Sequence, residues 1–62
     1  MTKEQIKTTE RLGYKKSNQY IEKYRTAALK WALDDRNKYK RNTKMWYFYN
    51  GAVVGIIKRR CL

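Results

Sequence analysis

The chain has 62 residues, of which 16 are Lys or Arg and five are Asp or Glu, giving a formal net charge of +11. Its length allows one small domain (1–62), and one cysteine with no histidine excludes an internal disulfide and a structural zinc site. Stability must therefore come from helix propensity, clustered aromatic side chains or association, so a homo-oligomer such as a homodimer, or an obligate partner, is expected.

The charge is distributed unevenly along the chain. Residues 1–35 contain eight basic residues and all five acidic ones, whereas residues 36–62 contain eight basic residues and no acidic one. A surface charged only for solubility does not explain why the acidic residues stop at Asp35. This asymmetry predicts an acidic partner, which is nucleic acid (DNA or RNA), an anionic membrane or an acidic protein surface.

The first predicted element is a short helix over residues 2–12. Thr2 is a suitable N-cap, and Gln5 follows it at the spacing of a capping box. Gly13 is a plausible residue for ending this helix, and the residues after it are predicted to form a linker.

The second predicted element is a long amphipathic helix over residues 17–41. This stretch contains neither Gly nor Pro, and its middle consists largely of good helix formers. At about 100° per residue, one face collects small and aromatic side chains. These are Tyr20, Tyr24, Ala27, Ala28 and Trp31.

Leu29 and Leu33 fall on roughly the opposite face of this predicted helix. Two interpretations remain open: the first helix covers them, or they form a ridge for dimerisation or for docking a partner protein. The adjacent Asp34 and Asp35 point about 100° apart on a helix, which favours ion pairing on a solvated face over catalysis.

The third predicted element is an aromatic-rich β-hairpin over residues 44–58. Asn50-Gly51 lies between two apolar runs and is the strongest short-range signal for a tight hairpin turn. The predicted fold class is therefore α+β, with a short N-terminal helix, a long central helix and a C-terminal two-stranded hairpin. The alternative is an all-α three-helix fold, because the apolar residues also fit helical spacing. In that case Gly51 and Gly55 match the close-packing motif of membrane helices.

The sequence favours binding over catalysis. It contains no histidine, no Gly-rich phosphate loop and no metal-ligand cluster, so we predict no catalytic residue, metal ligand or cofactor. The leading hypothesis is a small, basic, non-enzymatic protein that binds nucleic acid through a Lys/Arg patch, with Trp46 and Tyr47 available for stacking. The candidate binding residues are Arg36, Lys38, Lys40, Arg41, Lys44, Trp46, Tyr47, Lys58, Arg59 and Arg60.

Two alternatives have different partners. A phage-type small inhibitor or adaptor would bind an acidic or nucleic-acid-binding surface of a larger host protein, and a cationic peptide would act on membranes. The longest apolar run, at thirteen residues, is shorter than the roughly 20 needed for a transmembrane segment. The polar N-terminal stretch and the single cysteine predict a cytoplasmic location.

Overall fold

The computed structural model describes residues 2–60, without the side chain of Arg60, and this part of the chain is helical with no strand. Its elements are α1 (Lys3–Tyr24), a 3₁₀ turn (Arg25–Ala27), α2 (Ala28–Asn37) and α3 (Lys44–Arg60). The predicted α+β fold class is therefore wrong, and the all-α alternative fits the structure.

The predicted hairpin over residues 44–58 is replaced by helix α3, in which Asn50 and Gly51 lie in the middle. Both faces of the hairpin would have been apolar, and the helix resolves this because it packs against two other helices. Its residues Ala52, Val53 and Ile56 are buried in the core. Burial between α1 and α2 thus outweighs the low helix propensity of the β-branched and glycine residues.

Helix α1 continues through Gly13, so the predicted end of the first helix at residue 12 is also wrong. Gly13 is buried, and a β-carbon added to it would lie 2.7 Å from the carbonyl carbon of Phe48 and closer still to the oxygen. Glycine is needed here because the backbones of α1 and α3 approach each other closely. The predicted capping box is confirmed, since the side chain of Thr2 accepts from the Gln5 amide and Gln5 bonds back to the Thr2 amide.

Helices α1 and α3 run parallel along a seam of small residues. A β-carbon on Gly51 would lie 2.8 Å from the carbonyl carbon of Glu10, and one on Gly55 would lie 2.8 Å from the β-carbon of Ser17. Residues further along α1 contact residues further along α3, so the two helices run parallel. Gly13 and Ser17 on α1 thus mirror Gly51 and Gly55 on α3, with small residues four positions apart on each helix.

The long helix predicted over residues 17–41 is interrupted by the 3₁₀ turn, after which α2 returns antiparallel to α1. Arg25 caps α1 with a positive φ of 50°, an unusual conformation for a residue with a side chain. The return stacks Trp31 on Tyr24, with ring centroids 4.8 Å apart, and buries Ala28 and Ala32. The break contains neither glycine nor proline, so tertiary packing determines where the helix is interrupted.

Aromatic side chains fill the space between α1 and α2. Tyr20 is buried, and its hydroxyl donates a 2.5 Å hydrogen bond to Asp35 Oδ2. Tyr49 of α3 packs against the core and stacks on Tyr39 with centroids 5.6 Å apart. The side of α3 opposite its buried residues, which includes Val54 and Ile57, faces solvent.

Candidate functional site

The solvent-facing side of α3 carries four residues spaced four positions apart, which we call the α3 ridge: Trp46, Asn50, Val54 and Lys58. Residues with this spacing lie one above another on successive helical turns. Val54 and Lys58 are exposed, whereas Trp46 and Asn50 are half-buried. The ridge links two groups of basic and aromatic side chains, one near each end of the helix.

The first group, the tryptophan cluster, consists of Arg36, Arg41 and Trp46. The guanidinium carbon of Arg36 lies 5.4 Å from the centroid of the Trp46 ring, and that of Arg41 lies 6.0 Å from it. Both distances are within the range of cation–π attraction. The cluster borders a groove that is completed by Asn37, Tyr39 and Asn50.

Hydrogen bonds hold Arg36 in this cluster. Its Nη1 donates to Asn50 Oδ1 at 3.1 Å, and Asn50 Nδ2 donates in turn to Glu10 Oε2 at 3.1 Å. One side chain on α3 therefore connects α1 to α2. The Nε atom of Arg36 is buried and has no hydrogen-bond partner among the described residues.

The start of α3 positions Trp46 within the cluster. The Thr43 hydroxyl accepts from the Trp46 amide at 3.3 Å, which is the geometry of a helix N-cap. Asn42 precedes it with a positive φ of 71°, which asparagine tolerates better than most residues, and accepts at 3.1 Å from the Tyr47 hydroxyl. The turn between α2 and α3 is thus shaped by Asn42 and Thr43, two residues from the polar stretch that the sequence marked as basic.

The second group, the tyrosine cluster, consists of Tyr14, Lys58 and Arg59. The Lys58 ammonium lies 6.0 Å from the centroid of the Tyr14 ring, and the Arg59 guanidinium carbon lies 5.9 Å from it. Arg59 also donates a hydrogen bond to Asn18 Oδ1 of α1. The groove beside Tyr14, between α1 and α3, is lined by Lys7, Glu10, Arg11, Gly51 and Val54.

The structure brings together some of the predicted binding residues and separates others. Arg36, Arg41 and Trp46 form one cluster, and Tyr47 packs edge-on against Trp46 with centroids 5.3 Å apart. Lys40 is exposed in the turn before α3. Lys44 is also exposed and lines a different groove, near the first turns of α1.

Three further predicted residues lie at the far end of α3 or on another surface. Lys58 and Arg59 belong to the tyrosine cluster, and the side chain of Arg60 lies outside the described part of the structure. Lys38 faces away from the ridge, because it forms an ion pair with Asp35 at 3.2 Å beside Tyr20.

Leu29 and Leu33 are half-buried and pack against the core cluster. Their outer edges line a shallow groove on α2 with Thr26, Lys30, Asp34 and Asn37. The prediction that these leucines form a ridge for dimerisation or partner docking stays a prediction.

The basic surface is largely uncompensated. Among the described side chains, Lys38–Asp35 is the one ion pair. The remaining described Lys and Arg side chains are therefore free of carboxylate partners, and they produce a positive potential that attracts anions.

The groups with perturbed pKa values lie on the side of Asp35, away from the ridge. Burial raises the pKa of Tyr20 above its ordinary value, and the hydrogen bond to Asp35 raises it further. Burial alone would raise the pKa of Asp35, but hydrogen bonds from Tyr20 and Lys38 outweigh it, so the pKa lies below its usual range. Burial likewise raises the pKa of Tyr49. None of these three shifts moves a pKa toward neutral pH.

Sequence reasoning missed Lys7, Arg11 and Tyr14 as surface partners of α3. The reason is that α1 was predicted to end at Gly13, which removed Tyr14 from the helix. The signals were present: basic residues recur every four positions, and Gly13 and Ser17 repeat the spacing of Gly51 and Gly55. The basic series is Lys3, Lys7, Arg11 and Lys15.

Residues 2–60 include no group of three side chains able to hold a metal ion. Across that same range, no helix has both the length and the apolar character to cross a membrane. The chain matches no protein-family model, no curated protein and no solved structure.

Proposed function

We propose that this protein is a non-enzymatic nucleic-acid-binding protein whose main contact is the tryptophan cluster. The observation that carries the proposal is the position of two guanidinium groups, 5.4 and 6.0 Å from the Trp46 ring, beside a groove with no acidic side chain in its lining. Arginines bind phosphate oxygens in planar, two-pronged geometry, and an indole ring offers a stacking surface to a base. The combination fits a ligand that is both anionic and aromatic.

Two features of the cluster support an anionic ligand in particular. Arg36 has a buried Nε–H without an acceptor, and leaving such a donor unpaired costs about 1–3 kcal/mol. Because this atom is shielded from solvent, an oxygen acceptor in the groove would reach it only after the Arg36 side chain shifts. In addition, α3 carries no acidic residue, so nothing on the ridge repels a phosphate.

The direct test is fluorescence anisotropy with labelled DNA and RNA oligonucleotides at salt concentrations from about 50 to 200 mM, a range over which phosphate contacts weaken steeply. Trp46→Leu should weaken binding by about 5- to 150-fold, corresponding to the loss of one stacked base at about 1–3 kcal/mol. Arg41→Gln should reduce the slope of log K against log salt by about one unit, because one phosphate contact is lost.

Lys30→Gln is the matched control for Arg41→Gln. It removes the same charge from an exposed residue of α2 that lies in the groove beside Leu29 and Leu33. The control should leave the salt slope close to that of the wild type. Absence of binding to any oligonucleotide at about 50 mM salt, where electrostatic affinity is strong, would overturn the proposal.

A further inference from the structure

We infer that the ligand is single-stranded nucleic acid that crosses the α3 ridge from the tryptophan cluster to the tyrosine cluster. This inference rests on the proposed function and adds the strandedness, the path and a second set of contacts. It also assigns Tyr14, and the groove beside it, to the binding surface.

The two clusters have the same arrangement of side chains. Each contains one aromatic ring with two cationic groups within 6.0 Å of its centroid: at 5.4 and 6.0 Å from Trp46, and at 6.0 and 5.9 Å from Tyr14. A ring held beside cations suits a nucleotide, because the base stacks on the ring while the phosphate meets the charge. Two such places on one surface indicate two points of attachment for one strand.

The surface between the clusters is continuous. Asn50 borders the groove of the tryptophan cluster and donates a hydrogen bond to Glu10, which borders the groove beside Tyr14. Val54 follows on the next turn, with 36% of its surface exposed. Along α3 itself the middle of the path is uncharged, at Asn50 and Val54, whereas the neighbouring part of α1 carries Glu10 between two basic residues, Lys7 and Arg11.

The length of the ridge sets the length of the strand. Trp46 and Lys58 are twelve residues apart, which is about 18 Å along a helix at about 1.5 Å per residue. At about 3.4 Å per nucleotide along one strand, this distance corresponds to about five nucleotides. A strand of about six nucleotides can reach both clusters, whereas one of three cannot.

Single-stranded nucleic acid fits these clusters better than a duplex does. Trp46 and Tyr14 are half-buried rings at the edges of grooves, and bases can stack on them only if they are unpaired. In a duplex the bases are stacked on each other, so the two rings would contribute little and the lysines and arginines would act alone.

The test measures the affinity of the full chain for labelled oligothymidines of three, six and twelve nucleotides and for a twelve-base-pair duplex, at about 50 mM salt, where phosphate contacts are strong. Affinity should rise by more than tenfold from three to six nucleotides and change little from six to twelve. Tyr14→Leu should weaken binding of the six-nucleotide strand by about fivefold or more, since losing a stacked base has at least this effect. Lys58→Gln should also weaken it by severalfold, because one phosphate contact is lost. Both variants should leave the three-nucleotide strand unaffected.

Matched controls come from the opposite side of the molecule. Lys23 lies 5.3 Å from the centroid of the Tyr24 ring, a similar cation–π pair away from the ridge, and Trp31 is 47% exposed on the same side. Lys23→Gln and Trp31→Leu should leave the affinity for six nucleotides within about twofold, because loss of a distant contact has little effect on an independent site. If Tyr14→Leu fails to fold by circular dichroism, Lys58→Gln at the exposed end of α3 decides the question.

The outcomes distinguish the path of a single strand across the α3 ridge from nucleic-acid binding as such. If affinity does not depend on length beyond three nucleotides, or if the duplex binds as tightly as the strand and Lys58→Gln is neutral, the inference is wrong. In that case loss of binding in Trp46→Leu and Arg41→Gln would still support the proposed function. No binding of any oligonucleotide would overturn both.

Discussion

The close approach of α1 and α3 at Gly51 makes Gly51→Ala the most informative stability test. In an exposed helix interior this change stabilises by about 1 kcal/mol, because alanine has the higher helix propensity. At Gly51 the added methyl group would lie 2.8 Å from the carbonyl carbon of Glu10 and 2.9 Å from its α-carbon, where ordinary contacts begin at 3.4 Å. The conflict is with backbone atoms, which cannot rotate away as a side chain can.

The helices must therefore separate by more than about 0.6 Å, the shortfall at the Glu10 carbonyl carbon, because the added methyl group would lie closer still to the Glu10 carbonyl oxygen. A gap of about 0.5–1 Å forfeits a quarter to a half of the dispersion attraction along the seam, and overpacking of this kind costs about 1–3 kcal/mol. Subtracting the propensity gain leaves a net loss of up to about 2 kcal/mol. We therefore expect Gly51→Ala to lower the free energy of unfolding, whereas helix propensity alone predicts an increase.

The assay is urea unfolding followed by circular dichroism, with the melting temperature as a second measure. For a domain of this size each kcal/mol lost should lower the melting temperature by about 4–8 °C. Val54→Gly and Val54→Ala supply the matched control, because their difference measures glycine against alanine at an exposed position of the same helix. If Gly51→Ala gains as much stability over the wild type as Val54→Ala gains over Val54→Gly, the close-packing argument for the seam fails.

Two further features, the positive φ angles and the Asp35 carboxylate, are tested by single substitutions. Arg25→Gly should raise the free energy of unfolding by about 1 kcal/mol, because glycine relieves the strain of a positive φ of 50°. Asn42→Gly, the control, should change it little. A lower free energy of unfolding for Arg25→Gly, measured in urea, would contradict this prediction. Asp35→Asn should flatten the pH dependence of stability in acid. The folded state holds the pKa of Asp35 below its unfolded value of about 3.9, so the ionised carboxylate stabilises the wild type above about pH 4. The wild type loses this stabilisation as pH falls through the folded pKa. Urea unfolding between about pH 2 and 7 measures this, and an equally steep profile in Asp35→Asn would show that Asp35 is not the group responsible.

The features that could be predicted from sequence are those fixed by near neighbours. The capping box needs only Thr2 and Gln5, three residues apart, and the structure contains it. The role of Asn50-Gly51 could not be predicted from its neighbours in sequence. A glycine that allows a tight turn and a glycine that allows close helix packing have the same local sequence signal. The difference lies in Glu10, which is 40 positions from Asn50 and contacts both residues.

The candidate site divides in the same way. The basic stretch from Arg36 to Lys44 identified the tryptophan cluster, because its members are close in sequence as well as in space. The tyrosine cluster joins Tyr14 to Lys58 and depends on the parallel pairing of α1 with α3. To predict this cluster from sequence, one would have had to recognise that Gly13 and Ser17 on α1 pack against Gly51 and Gly55 on α3.

The parallel pairing of the first and last helices also has a consequence for folding speed. Helical proteins usually fold fast because their contacts are local, but the seam here joins residues about 40 positions apart, such as Glu10 and Gly51. Relative to contacts about 10 residues apart, closing such a loop costs two doublings of length, or about 1.2 kcal/mol, which corresponds to a rate about sevenfold lower. The core forms only when α3 arrives, so we expect single-exponential refolding that is slower than the helix content alone would indicate.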